Sequence, residues 1–280
     1  MTGIGGQVGE AQGRFAEQIV ARIAGEAERL ARDFQRTPGI RTFVLDDLLE
    51  PEDARTLYDR FPEPKDMLRQ RTFREFKYAS AQMDRHDPLL EECVYAFQDP
   101  RVVTLLSEIT GITPLKPDPT LYVGGISLMV EGCFVNPHLD NSHDARRENY
   151  RVLNALFYVS PDWRPDYGGN LELWDHGVKR PPRTIHSRFN RLVVMEANRT
   201  SYHSVSRVVH PGRRCCISNY YFTPRPVRGP AYFHVTSFRA PAGHVFADLI
   251  FRADALARNA LRLLFPHGIR ANPHVYRRNT

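Results

Sequence analysis

Between residues 114 and 223 short apolar segments alternate with strong turn signals. This pattern constrains the fold more than any other feature of the sequence. The segments are rich in Val, Ile, Leu, Tyr and Phe, and proline or glycine pairs separate them. Many short strands divided in this way favour an antiparallel sandwich or jelly roll. The predicted strands are 120–130, 152–159, 170–174, 184–185, 191–195 and 215–222.

Helical periodicity dominates the segment before this β-rich region. Apolar residues recur at three- and four-residue spacing over residues 14–36, which predicts one amphipathic helix. A short apolar strand is expected at 42–45. Further helices are predicted over residues 47–61, 89–97 and 100–109, the last closed by Gly111.

The segment after the β-rich region carries a last short strand, within 232–238, and then a long helix over 245–265. Phe246, Leu249 and Leu256 lie on one arc of this helix, and Arg252, Arg258 and Arg262 lie on the other. The pattern is typical of a helix that buttresses the sheet. A helix that makes peripheral contact with a membrane surface, or with a partner, is the alternative.

Composition and charge restrict the partners. With 42% hydrophobic and 25% charged residues the chain has an ordinary globular composition, and its length of 280 residues suits one large domain or two small ones. The net charge of +6 favours acidic partners such as a dicarboxylate, a phosphate or an anionic surface. No nucleic-acid motif is present, so we expect no nucleic-acid partner.

Cysteine usage and hydropathy indicate the compartment. The four cysteines form no CxxC motif and include an adjacent pair, so neither a disulfide framework nor a zinc ribbon is predicted. The N-terminus lacks an apolar signal core, and no run of 18 apolar residues would form a transmembrane segment. We therefore expect a soluble, cytoplasmic protein with reduced thiols.

The segment His138-Leu139-Asp140 carries the strongest chemical signal. On a strand, residues i and i+2 point to the same face, so this H-x-D motif places an imidazole beside a carboxylate. One further histidine on a neighbouring strand would complete a two-histidine, one-carboxylate facial triad. Such a triad leaves metal positions open for a bidentate co-substrate and O₂, as non-haem iron(II) oxygenation requires.

A second cluster lies further along the chain. An apolar strand at 191–195 precedes His203, and Arg213 and Arg214 open the next apolar segment. A guanidinium on the strand after the distal histidine can bind the far carboxylate of 2-oxoglutarate through two hydrogen bonds. The oxo-acid end of the same molecule would then chelate iron.

These motifs resemble the iron(II)- and 2-oxoglutarate-dependent dioxygenases, specifically their prolyl-4-hydroxylase-like branch. The resemblance covers residues 122–222 and rests on motifs in the family's order. They are HLD at 138–140, YVSPDW at 158–163, GGNLELW at 168–174, NRLVVM at 190–195 and the pair His203 and Arg214.

The resemblance implies a mainly β fold, a double-stranded β-helix (a cupin-like jelly roll) with N-terminal helices packed on the major sheet and a C-terminal helical extension. It implies a single dioxygenase domain over 1–280. Within that domain, 1–113 would form the helical support, 114–223 the β-helix core and 224–280 the extension.

The resemblance also implies the metal site and its cofactors. His138, Asp140 and His203 match the family's metal ligands, so we expect them to be the catalytic centre. Iron(II), 2-oxoglutarate and O₂ would be required, with ascorbate as an optional reductant, and succinate and CO₂ would be products.

The co-substrate contacts follow from the same family match. In the family the basic residue lies six positions before an aromatic that closes its strand, and counting back from Tyr220 selects Arg214 over Arg213. Only one of these adjacent arginines can face inward on a strand. Asn154 and Tyr158 share a face of their own strand and are the further candidates for binding 2-oxoglutarate.

The basic residues Arg146, Arg147 and Arg151 follow the H-x-D motif, and two interpretations stay open for them. They could meet an anionic substrate, or they could form a solvated basic loop.

Several activities are compatible with this site. Hydroxylation of an unactivated C–H bond in a small-molecule or peptide substrate is the main hypothesis, and desaturation or cyclisation at the same site is the alternative. Halogenation is disfavoured because Asp140 supplies the carboxylate ligand that halogenases typically lack. A cupin-like metal-binding protein without turnover, or a zinc hydrolase, would leave the co-substrate arginine unexplained. The sequence does not identify the substrate.

Overall fold

The structure is a computed structural model that describes residues 5–265 and 275–277, with side chains from residue 13 onwards. The helices are α1 (Gly5–Ala24), α2 (Ala27–Arg36), α3 (Pro51–Asp59), α4 (Pro88–Ala96), α5 (Pro100–Thr110) and α6 (Val245–Leu264). The strands are β1 (Thr42–Leu45), β2 (Leu68–Arg71), β3 (Glu75–Ser80), β4 (Lys116–Pro117), β5 (Gly125–Met129), β6 (Phe134–Leu139), β7 (Tyr150–Tyr158), β8 (Leu171–Leu173), β9 (Arg183–Ile185), β10 (Arg191–Glu196), β11 (His203–Val205), β12 (Arg214–Thr223) and β13 (Ser237–Phe238).

The first amphipathic segment forms two helices where the periodicity predicts one. Helix α1 ends at Ala24, the chain turns through Gly25 and Glu26, and α2 begins at Ala27. Glycine is a poor helix former. The Glu26 carboxylate binds Arg22 on the first helix and Arg29 on the second, at 3.0 and 2.6 Å, which fixes the turn.

Helices α4 and α5 lie where the sequence predicts them, and local capping explains their bounds. Each starts with a proline in its first turn, preceded by an aspartate whose side chain accepts a hydrogen bond from a backbone N–H of that turn. Gly111 ends α5 with a left-handed backbone at φ +69°, a conformation that glycine adopts without strain.

The strands form one curled antiparallel sheet in the order β1-β10-β7-β12-β5-β3-β6-β11-β8-β9. Strand β3 pairs with β5 through Tyr78–Ser80 and with β6 through Glu75 and Phe76, so it joins the two halves of the curl. The major sheet is the half formed by β1, β10, β7, β12 and β5, and the minor sheet is the half formed by β6, β11, β8 and β9. This is the expected double-stranded β-helix.

Strand alternation separates the two faces of the major sheet. On β7, Leu153 and Phe157 pack outward against the N-terminal helices in the main hydrophobic core, while Tyr158 points into the curl. On β12, Ile217 faces outward in the same way and Cys216 faces inward. The helices therefore cover the outer face of the major sheet, as predicted, and the inner face is free to build a site.

The β2–β3 hairpin is not predicted by the sequence analysis, which places no strand between residues 45 and 113. Its turn is closed by a hydrogen bond from the Thr72 N–H to the Glu75 carbonyl at 2.9 Å. Strand β3 alternates charged and aromatic residues, and its charged residues Glu75 and Lys77 point into the curl. Because the inner cavity is polar, this strand lacks the apolar inner face by which buried strands are ordinarily detected.

Helix α6 lies at the predicted position, but its apolar arc faces away from the domain. Phe251 is the buried residue of the helix, whereas Phe246 and Leu256 are largely exposed. Residues 266–274 and 278–280 of the predicted C-terminal extension lie outside the described residues. Within the described part of the chain, no helix is both long and apolar enough to span a membrane.

Candidate active site

His138, Asp140 and His203 meet at the inner face of the minor sheet. His138 lies near the end of β6, Asp140 follows that strand directly, and His203 begins β11. The two histidines are direct partners across the β6–β11 ladder, and their ring centroids are 4.2 Å apart. Among the residues that the structure describes, these three form the one group of His, Cys, Asp or Glu side chains whose ligand atoms lie close enough to share a metal ion, within 4.8 Å of one another.

The orientation of the rings fits a metal ion. His138 Nδ1 lies 2.9 Å from the Asn136 carbonyl and His203 Nδ1 lies 3.0 Å from the Ser201 carbonyl, so each Nδ1–H can donate to the backbone. Each Nε2 then carries the free lone pair and faces Asp140, at 3.7 Å for His138 and 3.5 Å for His203. A backbone acceptor behind each imidazole is the usual arrangement for metal-binding histidines.

Electrostatics favour the protonation states that metal binding requires. Burial, reinforced by His203, lowers the pKa of His138 to about 4, which keeps this imidazole neutral near pH 7. Burial alone would raise the pKa of Asp140, but Arg151 and the two histidines outweigh it and hold that pKa far below its ordinary value. A neutral imidazole and an ionised carboxylate are the ligand forms of these groups.

Two side chains of β7 hold the Asp140 carboxylate from behind. The Asn154 side-chain amide donates to Asp140 Oδ2 at 2.6 Å, and Arg151 Nη1 lies 3.3 Å from the same oxygen. Arg151 is only 1% exposed, and its guanidinium stacks over the Tyr220 ring at 3.9 Å. Of the two interpretations offered for this arginine, the solvated loop is therefore wrong.

Arg151 faces inward because the register of β7 against β12 shifts. Leu153 pairs with Tyr221 and Arg151 pairs with Phe222. A step of two residues along β7 therefore corresponds to a step of one residue along β12. A bulge of this kind redirects the side chains that follow it. Strict alternation from the sequence would have placed Arg151 on the outer face with Leu153.

Arg214 and Tyr158 lie in the same cavity as the three candidate ligands. This cavity, which is called the metal cavity below because the candidate metal ligands line it, has a volume of about 360 Å³. Arg214 is 4% exposed, and its Nε donates to the Gly169 carbonyl at 3.1 Å and approaches Ser187 Oγ at 3.3 Å. Its two terminal nitrogens have no hydrogen-bond partner among the described residues, which leaves that edge of the guanidinium available to a ligand.

The Tyr158 ring lies 4.6 Å below the Arg214 guanidinium. Within the described part of the chain, the Tyr158 hydroxyl has no hydrogen-bond partner of standard geometry, although it is fully buried. Burial raises the pKa of Tyr158 against the opposing effect of Arg214, so the hydroxyl stays protonated and can donate. An unsatisfied buried donor beside a buried cation fits the distal carboxylate of 2-oxoglutarate.

Arg213 points the other way. Its Nη1 lies 2.9 Å from Glu63 Oε1, and its guanidinium packs over the Tyr58 ring at 5.1 Å, on the helical side of the sheet. Cys216, Ser218 and Tyr220 line the metal cavity together with Arg214.

The hairpin adds charged groups that the sequence analysis did not identify. Lys77 Nζ lies 3.0 Å from Glu75 Oε2, and both residues line the metal cavity. Burial would lower the pKa of Lys77, but Glu75, Tyr220 and Asp140 outweigh it and raise that pKa, so the ammonium is retained. The alternation of Glu75, Lys77 and Ala79 along β3 is the one sequence signal that could have revealed this inner face.

A larger cavity of about 620 Å³ adjoins the metal cavity, and Thr236 and Arg258 line both. Its walls are the loop after β6, the segment before β13 and the last turn of α6, with apolar contributions from Phe233 and Leu261. The shared residues connect a roomy, largely apolar chamber to the candidate metal ligands.

A double-stranded β-helix with an inward H-x-D and a distal histidine belongs to the class of metal-dependent jelly-roll proteins. Residues 124–222 match the model of the 2OG-Fe(II) oxygenase superfamily. Over this segment the chain resembles the superfamily, in line with the motifs of the sequence.

Similar proteins agree with this resemblance. Prolyl 3-hydroxylase OGFOD1 of Mus musculus is 34% identical over 104 residues, 35% of this chain and 19% of that protein. The Xenopus laevis protein of the same name is 34% identical over 95 residues, 31% of this chain and 18% of that protein. The chain thus matches less than a fifth of the length of these curated relatives.

A crystal structure of a Pseudomonas putida prolyl-4-hydroxylase superposes with a TM-score of 0.50 at 16% identity, covering 70% of this chain and all of that one. At this identity the likeness concerns the fold, which is prolyl-4-hydroxylase-like.

Proposed function

We propose that this chain is an iron(II)- and 2-oxoglutarate-dependent dioxygenase that hydroxylates an unactivated C–H bond of an organic substrate. The observation that carries the proposal is that three converging candidate ligands share one cavity with a buried arginine, whose terminal nitrogens have no partner among the described residues. A metal-binding barrel without turnover would have no use for that arginine.

Each residue has a distinct part in this proposal. His138, Asp140 and His203 would hold the metal at one face and leave its other positions open. Arg214 and Tyr158 would bind the distal carboxylate of 2-oxoglutarate and thereby orient its oxo-acid end toward the metal. When bound, iron(II) and 2-oxoglutarate supply the oxidising chemistry with O₂, and succinate and CO₂ are released.

Asn154 has two roles open to it. Its amide nitrogen donates to Asp140, while its carbonyl oxygen is buried without a partner of standard geometry among the described residues. This hydrogen bond supports a role for Asn154 in positioning the Asp140 carboxylate. That role would be additional to the proposed contact with 2-oxoglutarate. Arg151 would stabilise the ionised form of Asp140 from the same side.

The substrate would approach from the adjoining cavity. That chamber adjoins the cavity of the candidate ligands through Thr236 and Arg258, and its largely apolar wall suits a carbon skeleton. Because the curated relatives are prolyl hydroxylases, peptidyl proline is the first substrate class to test.

The test is turnover of 2-oxoglutarate to succinate by the purified chain supplied with iron(II), followed by mass spectrometry or NMR. We expect succinate to form with iron(II) and to disappear with a chelator, and His203→Ala and Asp140→Ala to abolish it. A set of proline-containing peptides would then be screened for a mass gain of one oxygen atom. Succinate formation that ignores the chelator, or no succinate with any metal, would refute the proposal.

A further inference from the structure

Helix α6 presents an apolar face to solvent. Every exposed position along the helix except Arg252 carries an apolar residue. At 100° per residue these positions form one continuous arc of roughly 160°. Phe246 is 81% exposed and Leu264 is 74% exposed, and Leu249, Ile250, Leu256 and Leu263 lie between them on the same arc.

The opposite face of α6 fixes the helix on the domain through the buried Phe251 and through polar contacts. Asp248 accepts from Arg239 at 2.7 and 3.0 Å, and Asp254 lies 2.9 Å from Arg74. The Asn259 side-chain oxygen accepts from the Val235 N–H at 3.1 Å. These contacts specify the rotation of the helix, so the outward direction of its apolar arc is built into the structure.

We propose that α6 is an interfacial helix through which the protein docks on the surface of an anionic lipid bilayer. A broad apolar arc of Phe and Leu, with Arg252 at its exposed edge, is typical of helices that lie in the plane of a membrane interface. At 20 residues the helix is about 30 Å long, and every turn of it contributes to the arc.

Charge favours a bilayer over a second copy of the chain. Both aspartates of α6 are paired with arginines of the domain, and Arg252 is the one charged residue at an exposed position of the helix, so the exposed face carries positive charge and no acid. A two-fold contact would place this positive charge against its own copy and would offer it no acidic partner on the facing helix. An anionic bilayer surface would complement it and would accept the apolar arc at the same time.

The experiment is flotation of the purified full chain with vesicles of phosphatidylcholine alone or of phosphatidylcholine mixed with phosphatidylglycerol. We expect the wild-type chain to float with the anionic vesicles, at least about tenfold more than with the neutral ones, and to be released by high salt. The Phe246→Glu/Leu256→Glu variant should lose about a hundredfold or more in partitioning, because each of the two buried side chains contributes about tenfold or more.

Matched controls distinguish the loss of the apolar contact with the bilayer from a general effect of charge or of misfolding. Val209→Glu/Val227→Glu adds the same two acids at exposed apolar residues outside α6 and should float like the wild type. Circular dichroism should be unchanged in all variants, because every substituted side chain is exposed. The proposal is overturned if no vesicle binds or if the α6 variant floats like the wild type. It is also overturned if light scattering shows a dimer that the α6 variant dissociates without any vesicle binding.

Discussion

Replacing Arg214 by alanine removes a buried guanidinium whose free edge faces the candidate metal cavity. The side chain is 4% exposed, its Nε is held by the Gly169 carbonyl, and its terminal nitrogens have no protein partner among the described residues. A carboxylate bound there would be buried opposite a single cation. Breaking such a pair by removing one partner costs roughly 3–5 kcal/mol.

This cost converts directly into co-substrate affinity. At 1.4 kcal/mol per factor of ten, Arg214→Ala should weaken 2-oxoglutarate binding by about a hundredfold to several thousandfold. Arg214→Lys should recover part of the loss, because it restores the charge without the two parallel donors. The measurement is anaerobic calorimetric titration of 2-oxoglutarate into the iron(II)-loaded protein.

The neighbouring residue supplies the matched control. Arg213 pairs with Glu63, which is exposed, and such surface pairs contribute about 0–1 kcal/mol to stability. Arg213→Ala should therefore leave 2-oxoglutarate affinity within a few-fold of the wild type. Equal losses of affinity in the two variants, or a larger loss in Arg213→Ala, would contradict the inward orientation of Arg214 on β12.

Three further results are expected. Tyr158→Phe should weaken 2-oxoglutarate binding by about two- to tenfold in the same titration, since one hydrogen bond contributes about 0.5–1.5 kcal/mol, and an unchanged affinity would exclude the hydroxyl from the site. Zinc should occupy the site and suppress succinate formation in competition with iron(II), because zinc has no accessible redox couple; undiminished turnover with zinc would contradict a redox mechanism. Arg41→Met should lower the free energy of unfolding by roughly 3 kcal/mol in urea denaturation, because Glu196 is 1% exposed and loses a partner at 2.7 Å; Arg41→Met/Glu196→Leu should recover much of that loss.

The residues of the candidate metal group could be proposed from the sequence because the required geometry is local. His138 and Asp140 share a strand face through a spacing of two, and His203 needs only an adjacent antiparallel strand. The phase of β12 follows from the same alternation, which holds over the whole stretch from Arg214 to Tyr220. The alternation of inward and outward side chains is kept in the folded protein wherever a strand is regular.

The charged groups Arg151, Glu75 and Lys77 could not be placed around these ligands because their positions depend on irregular or long-range features. Arg151 turns inward at a register shift that depends on the pairing of β7 with β12. Glu75 and Lys77 reach the cavity from a hairpin that inserts between the two halves of the sheet, far from the H-x-D motif in sequence. A charged inner face on that hairpin has the same residue pattern as an exposed loop.

The orientation of α6 shows a related limit of hydrophobic periodicity. The pattern identifies which residues share an arc of the helix, but the direction of that arc depends on what the other arc binds. Here Asp248 and Asp254 find arginine partners on the domain, and those pairs turn the apolar arc outward. An exposed apolar surface of this extent is unusual unless it contacts something else, and its last turn also borders the chamber that adjoins the metal cavity. A surface that docks on a bilayer would therefore bring the mouth of that chamber close to the lipid interface.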